Sequence, residues 1–284
     1  MNISKVIGKI LLGFGIMFAT AIILTIVFNP FYKESSYFTS QFGLIIASIT
    51  MFVWFEKNNE WSLGFEMNKI LRFLLFGGLV AAIIPTFSVI SMLLNNSISL
   101  ELQSWSLSAL TFQCFLFLVI AFGEETFFRG YLYGMLNQSF NNTVAIITSA
   151  LLFTTVHLMN PDAFAKPLEF IVIELLNIFL LGVLFAQVRF MTGSLWMPIS
   201  LHFMINFIQS SVFGFLNGGK QVESLMEITF IKESIWNGAG FGVESSLMLT
   251  PILIISMILV KKALSKNPNK TVSPLSNPIE SRGL

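Results

Sequence analysis

The chain has 284 residues, 55% of them hydrophobic and only 11% charged, with 31 phenylalanines and a net charge of +1. Soluble domains carry about 25% charged residues, so this composition excludes a water-soluble globule and names lipid as the solvent. The near-neutral balance offers no basic surface to nucleic acid. The single cysteine, Cys114, excludes an intrachain disulfide and any cysteine-based zinc site, and in FQCFLFLV it reads as a small buried apolar residue.

A helix needs about 20 apolar residues to cross a bilayer. Taken in chain order, such runs fall at 10–29, 37–55, 71–94, 107–136, 143–160, 168–187, 194–215 and 246–260. The fold class expected is therefore all-α, a polytopic membrane bundle of about eight transmembrane helices. Lys5 and Lys9 precede the first run as they would in a signal peptide. That run is longer than a signal's apolar region and no small-residue cleavage site follows, so it is kept as a helix. The organisation expected is N-terminal transmembrane helices over 1–104 and a chemical core over 105–215. A loop and last helix follow over 216–263, then a disordered cytoplasmic tail over 264–284, rich in Pro, Asn, Ser and Lys.

Eight spans put both termini on one side. Segments sharing the N-terminal side hold Lys5, Lys9, Lys57, Lys69, Arg72, Arg189, Lys261, Lys262, Lys266, Lys270 and Arg282. The opposite loops hold Lys33, Lys166, Lys220 and Lys232. The positive-inside rule then places both termini in the cytoplasm. Trp54, Trp61, Trp196 and Trp236 lie near span ends and read as interfacial anchors. Lys261, Lys262 and Lys266 read as an anchor on the anionic leaflet.

Ionisable groups at membrane depth cost a few kcal/mol each on insertion scales, so they are presumed functional. The fourth run carries Glu124, Glu125 and Arg129 in GEETFFRGYLYG. Residues four apart share a helix face, so Glu125 and Arg129 form a structural, site-orienting pair. Glu124 points about 100° away without a partner in its own helix. A carboxyl in an apolar cavity is pushed toward neutrality, which suits it to take a proton from water and return it to a leaving amine. Gly123, Gly130 and Gly134 flank the acids and read as close helix packing.

Both histidines of the chain lie in apolar runs. His157 shares a face with Phe153 four residues earlier, and a bond to a backbone carbonyl near the helix end, with Asn160-Pro161 closing the helix, is its plain alternative. His202 and Asn206 are likewise four apart, and an interhelical hydrogen bond is theirs. Depth favours a shared site. Glu124 lies 13 residues before Asn137 and His157 lies 15 after Asn142, about 20 Å from the connection between their helices. His202 and Asn206 enter from the same side, 8 and 12 residues past Ser194, or about 12–18 Å in. Glu174 and Asn177 also share a face inside a run, lining a cavity or bonding to a neighbouring helix; Asp162 and Glu169 read as solvated.

GEETFFRG resembles the glutamate–glutamate–three residues–arginine signature of the CPBP family (Abi-type) of CAAX proteases and bacteriocin-processing enzymes. FTTVH, from Phe153 to His157, is similar to its second motif. GSLWMPISLHFMIN resembles the third, with His202 and Asn206 in the histidine–three residues–asparagine positions, and GFGVESS over 240–246 is similar to a glycine-rich segment before the last helix. The resemblance covers roughly 105–215. It implies an intramembrane endopeptidase in which Glu124 and His157 activate water, His202 and Asn206 stabilise the oxyanion, and Glu125, Arg129 and Phe153 support them. It also leaves open a metalloprotease with Glu124, His157 and His202 on zinc, although the HExxH spacing is missing, so the cofactor expected is none or zinc.

The partners implied are the lipid bilayer and a membrane-embedded or lipidated peptide or protein. Eukaryotic relatives cut prenylated tails, whereas bacterial members are linked to bacteriocin immunity, peptide maturation and envelope regulation. A compact chain rich in Phe, Ile, Asn and Lys fits a bacterial plasma-membrane member. The rival reading is a non-catalytic scaffold or bacteriocin-immunity factor of the same fold, against which stands the presence of all four site residues. A transporter relaying protons through Glu174 and Glu124 would be expected to show an internal repeat, and none is visible.

Overall fold

The computed structural model describes residues 2–31, 36–67, 69–160, 163–216 and 221–265. The tail expected to be disordered from its composition lies largely outside the described residues, as do Lys33, Pro161, Asp162, Lys220, Lys266, Lys270 and Arg282. Each of the eight predicted runs is a helical rod. They are α1 (Ile3–Phe28), α2 (Ser36–Phe55), α3 (Ile70–Leu94), and α4 (Leu107–Glu125) continuing through a π segment (Thr126–Leu132) into α5 (Tyr133–Ser139). After them come α6 (Asn142–His157), α7 (Leu168–Thr192), α8 (Trp196–Phe207) with a second π segment (Ile208–Val212), and α9 (Leu249–Ser265). The all-α membrane bundle stands.

Among the described residues five rods are long and apolar enough to cross a bilayer, at 3–28, 38–55, 70–94, 107–139 and 168–192. α6, with 16 residues, reaches about 24 Å, short of a hydrocarbon core of about 30 Å. α8 has 12 residues before its π segment and α9 has 17.

The helices are built inside out relative to those of a soluble protein. On α3, Leu71, Leu75, Leu79 and Ile83 form an exposed apolar stripe at four-residue spacing, while Gly77, Ala81 and Ser88 face inward. The hydrophobic effect does not drive rods together in lipid, so small residues that permit close approach do this work. A Cβ on Gly77 would lie 2.8 Å from the Met197 carbonyl oxygen of α8, and Ser200 Oγ donates to the Leu74 carbonyl at 2.7 Å across the same contact. α4 lies between α2 and α8, α6 packs on α7, and α7 on α9.

Four sequence expectations need correction. A two-stranded antiparallel ladder joins β1 (Ile98–Leu102) to β2 (Met226–Phe230), with Ile98 opposite Phe230. Each strand is a five-residue stretch in a connection, too short to stand out from its surroundings. Cys114 is exposed on the outer face of α4, not buried. Arg189, counted as a loop cation, is fully buried in α7 and donates to the carbonyls of Ser62 (2.9 Å) and Arg129 (3.3 Å). The tally of flanking basic residues on the N-terminal side falls accordingly.

Trp61 is no interfacial anchor. It is buried edge-on against Phe52, with ring centroids 4.9 Å apart, while Trp54 and Trp236 are exposed. Gly134 makes room for it, because a Cβ there would fall 2.3 Å from Trp61 Cζ3. Gly134→Ala should therefore destabilise the protein by about 1–3 kcal/mol through overpacking. Gly15→Ala, whose Cβ meets nothing within 4 Å, should be neutral or slightly stabilising. Thermal melting of both variants in one detergent checks the pair; equal midpoints would contradict the packing.

Candidate active site

The two acids sit where α4 widens. Glu124 and Glu125 are its last residues, and all seven residues of the following π segment are buried. Wide turns of this kind concentrate at functional sites. A second one begins two residues after Asn206.

Glu125 is the hub. Its Oε1 accepts from Arg129 Nη1 at 2.9 Å and from His202 Nδ1 at 2.9 Å, with Glu125 and Arg129 both wholly buried. The i,i+4 pair expected from the sequence is thus real, and it also holds a histidine from α8. Arg129 Nη2 reaches the Gly182 carbonyl at 3.3 Å. The guanidinium lies 4.1 Å from the Phe153 ring centroid and 5.2 Å from that of Phe185, a favourable cation–π arrangement in a desolvated setting.

The two imidazoles flank Phe153. Its ring centroid is 4.6 Å from that of His157 and 6.1 Å from that of His202, and His202 also stacks on Phe185 at 5.2 Å. His157 Nδ1 faces the Phe153 carbonyl at 2.8 Å. A carbonyl can only accept, so Nδ1 carries a hydrogen, and in the neutral ring the lone pair is then on Nε2. The carbonyl contact weighed as the plain alternative exists, and it fixes the tautomer without occupying Nε2. Glu125, a carboxylate, holds His202 Nδ1–H in the same way.

Glu124 and His157 line one cavity of about 230 Å³, partly open to the outside, with Met17 and Ala21 of α1, Gln41 and Leu44 of α2, and Asn160. From the other side His202 Nε2 comes to 3.8 Å from Glu124 Oε2, an oxygen that is enclosed and makes no hydrogen bond among the described residues. Asn206 is buried one turn beyond His202, on the same face of α8, and its side chain makes no hydrogen bond among the described residues. Glu124, His157 and His202 are therefore brought together directly, and Asn206 through its helix.

Glu174 and Asn177 serve neighbouring segments. Glu174 pairs with Lys166 and accepts from Ser245 Oγ at 2.8 Å. Asn177 donates to the carbonyls of Glu244 and Ser246, both at 2.8 Å, and accepts from Thr250. This anchors the turn Val243–Ser245, where Glu244 is enclosed and accepts from Gln209 Nε2 at 3.0 Å. Burial pushes the Glu244 carboxyl up; the Gln209 bond and the two histidines oppose this. Sequence reasoning passed over Glu244, Gln41 and Phe185. An acid inside GFGVESS was a signal for the first; the other two carried none.

Among the described residues no three His, Cys, Asp or Glu side chains are spaced to hold one metal ion. Glu124, His157 and His202 as arranged do not fit a zinc set, although both Nε2 atoms have the right chemistry for one.

Glu124 and His157 thus share one cavity wall in an apolar helical bundle, with His202 3.8 Å from Glu124 and Asn206 one turn further along α8. Residues 104–208 match the family model described as type II CAAX prenyl endopeptidase, Rce1-like. That segment holds every residue of the three motifs and bears out the resemblance they carry. The chain has no match among curated proteins.

Proposed function

We propose that the chain is an intramembrane endopeptidase that hydrolyses a membrane-associated peptide or small membrane protein without a metal. One observation supports this above the others: Glu124 and His157 share a cavity wall while His202 Nε2 stands 3.8 Å from Glu124. Glu124 takes a proton from water, and the water oxygen bonds to the scissile carbonyl carbon, whose oxygen becomes an oxyanion. His157 Nε2 orients the same water. His202 and Asn206 donate to the oxyanion, a role suited to preorganised donors in a dry site. With Nδ1 held by Glu125, donation from Nε2 requires the imidazolium, whose charge faces that carboxylate. Glu124 then returns its proton to the amide nitrogen, and the carbon–nitrogen bond breaks to a carboxylic acid and an amine.

If all eight rods cross, both termini lie on one side, and the flanking basic residues that remain after Arg189 is removed still favour the cytoplasm. We assign the chain to a bacterial plasma membrane on that basis and on composition. The test is peptidomics of membranes from cells making the chain or its Glu124→Ala variant. New peptide termini should appear only with the former, and identical profiles would refute the proposal. Cleavage by the purified protein should survive chelation and gain nothing from added zinc; loss restored by zinc would overturn the metal-free mechanism.

A further inference from the structure

The cavity wall holds a third polar group that the mechanism above does not use. Gln41 on α2 is 8% exposed and borders the cavity beside Glu124 and His157. Its Oε1 is enclosed and makes no hydrogen bond among the described residues. The position is tightly specified. Gln41 presses on Gly123, the residue before Glu124, where a Cβ would fall 2.7 Å from Gln41 Oε1 and 3.0 Å from the Gln41 carbonyl.

A buried carboxamide oxygen without a partner costs stability, and leucine would fill the same volume at no such cost. A carboxamide offers two donors and an acceptor, the complement of one peptide unit. Backbone pairing says which kind of peptide unit: a helix would arrive with its N–H and C=O groups already paired, whereas an extended segment has them free.

We propose that Gln41 is a substrate-binding residue, hydrogen-bonding the backbone of an extended, unwound peptide segment laid across α2 beside Glu124 and His157. This deepens the endopeptidase reading and rests on it. The site then favours flexible tails and unwound stretches over intact transmembrane helices. The contact comes from outside residues 104–208, the segment that matches the family.

The experiment compares wild type, Gln41→Leu and Gln41→Glu, using an internally quenched peptide with a farnesylated CAAX tail as the probe. KM and kcat are read on the active protein. Kd for the same peptide is read in the inactive Glu124→Gln background, with and without Gln41→Leu. Losing one or two hydrogen bonds to substrate should raise KM and Kd about tenfold in Gln41→Leu, with kcat changed less than threefold. The melting midpoint of Gln41→Leu should hold or rise, which no structural role for the amide would allow. Gln41→Glu, lacking the N–H donors, should resemble Gln41→Leu in KM. Cleavage with KM and Kd unchanged in Gln41→Leu would overturn the inference and leave the endopeptidase reading standing. Binding weakened by Gln41→Leu with no cleavage by wild type would do the reverse.

Discussion

Glu124→Gln should lower kcat/KM by about a thousandfold or more, because a positioned general base contributes 10²–10⁴ in rate and the same carboxyl also serves the leaving amine. Membrane abundance and melting midpoint should stay near wild type. Glu124 takes no part in the buried ion pair, and its Oε2 has no hydrogen bond to lose. His202→Ala should cost about 10²–10³ in kcat as the loss of an oxyanion donor. That variant also strips Glu125 of one of two partners, so it should melt lower than Glu124→Gln. Cleavage rates on one membrane peptide, paired with melting curves, separate the two effects. Cellular function surviving both replacements would move the chain to the scaffold reading.

The largest stability effect is expected at Arg129. Arg129→Met leaves the Glu125 carboxylate buried without its cation, and breaking a buried pair from one side costs about 3–5 kcal/mol. Arg129→Lys should recover only part of this, because the ammonium cannot lie flat against Phe153 and Phe185 while also reaching the Gly182 carbonyl. The double variant Glu125→Leu/Arg129→Met removes both charges and should regain most of the lost stability. Its activity should nevertheless stay low, since His202 would then have nothing on Nδ1 to fix its tautomer or face its charge. A double variant both stable and fully active would show that the pair only packs. A melting series on the four proteins, with rates alongside, decides it.

Much of the site was legible because burial in lipid is so selective. In a chain with 11% charged residues, the few acids and imidazoles inside apolar runs stand out, and counting residues from shared connections put them at one depth. Glu124, His157 and His202 do meet. What stayed hidden follows from the same composition. Rods apolar on every side do not announce an inward face, so Cys114 could not be assigned to lipid rather than core, and Trp61, in the connection after α2, looked like Trp54 at that helix's end. Arg189 lies three residues before the end of α7 and was indistinguishable from a flanking loop cation. Gln41 carries no charge, and nothing in SQFGL marks it as facing Glu124.

The π segment after Glu125 is in effect an α-helix with a residue too many. A helix advances by about 100° per residue, so the surplus offsets everything upstream by that angle relative to the regular rod beyond. Excising Tyr131, beyond Arg129, would restore uniform pitch while Arg129 keeps Glu125 four places back. Glu124 and that pair, however, would turn by about 100° relative to the rod beyond, out of register with their neighbours. A single-codon deletion would thus disarm the centre while sparing every side chain that defines it, a lesion that inspection of the motif letters alone would miss.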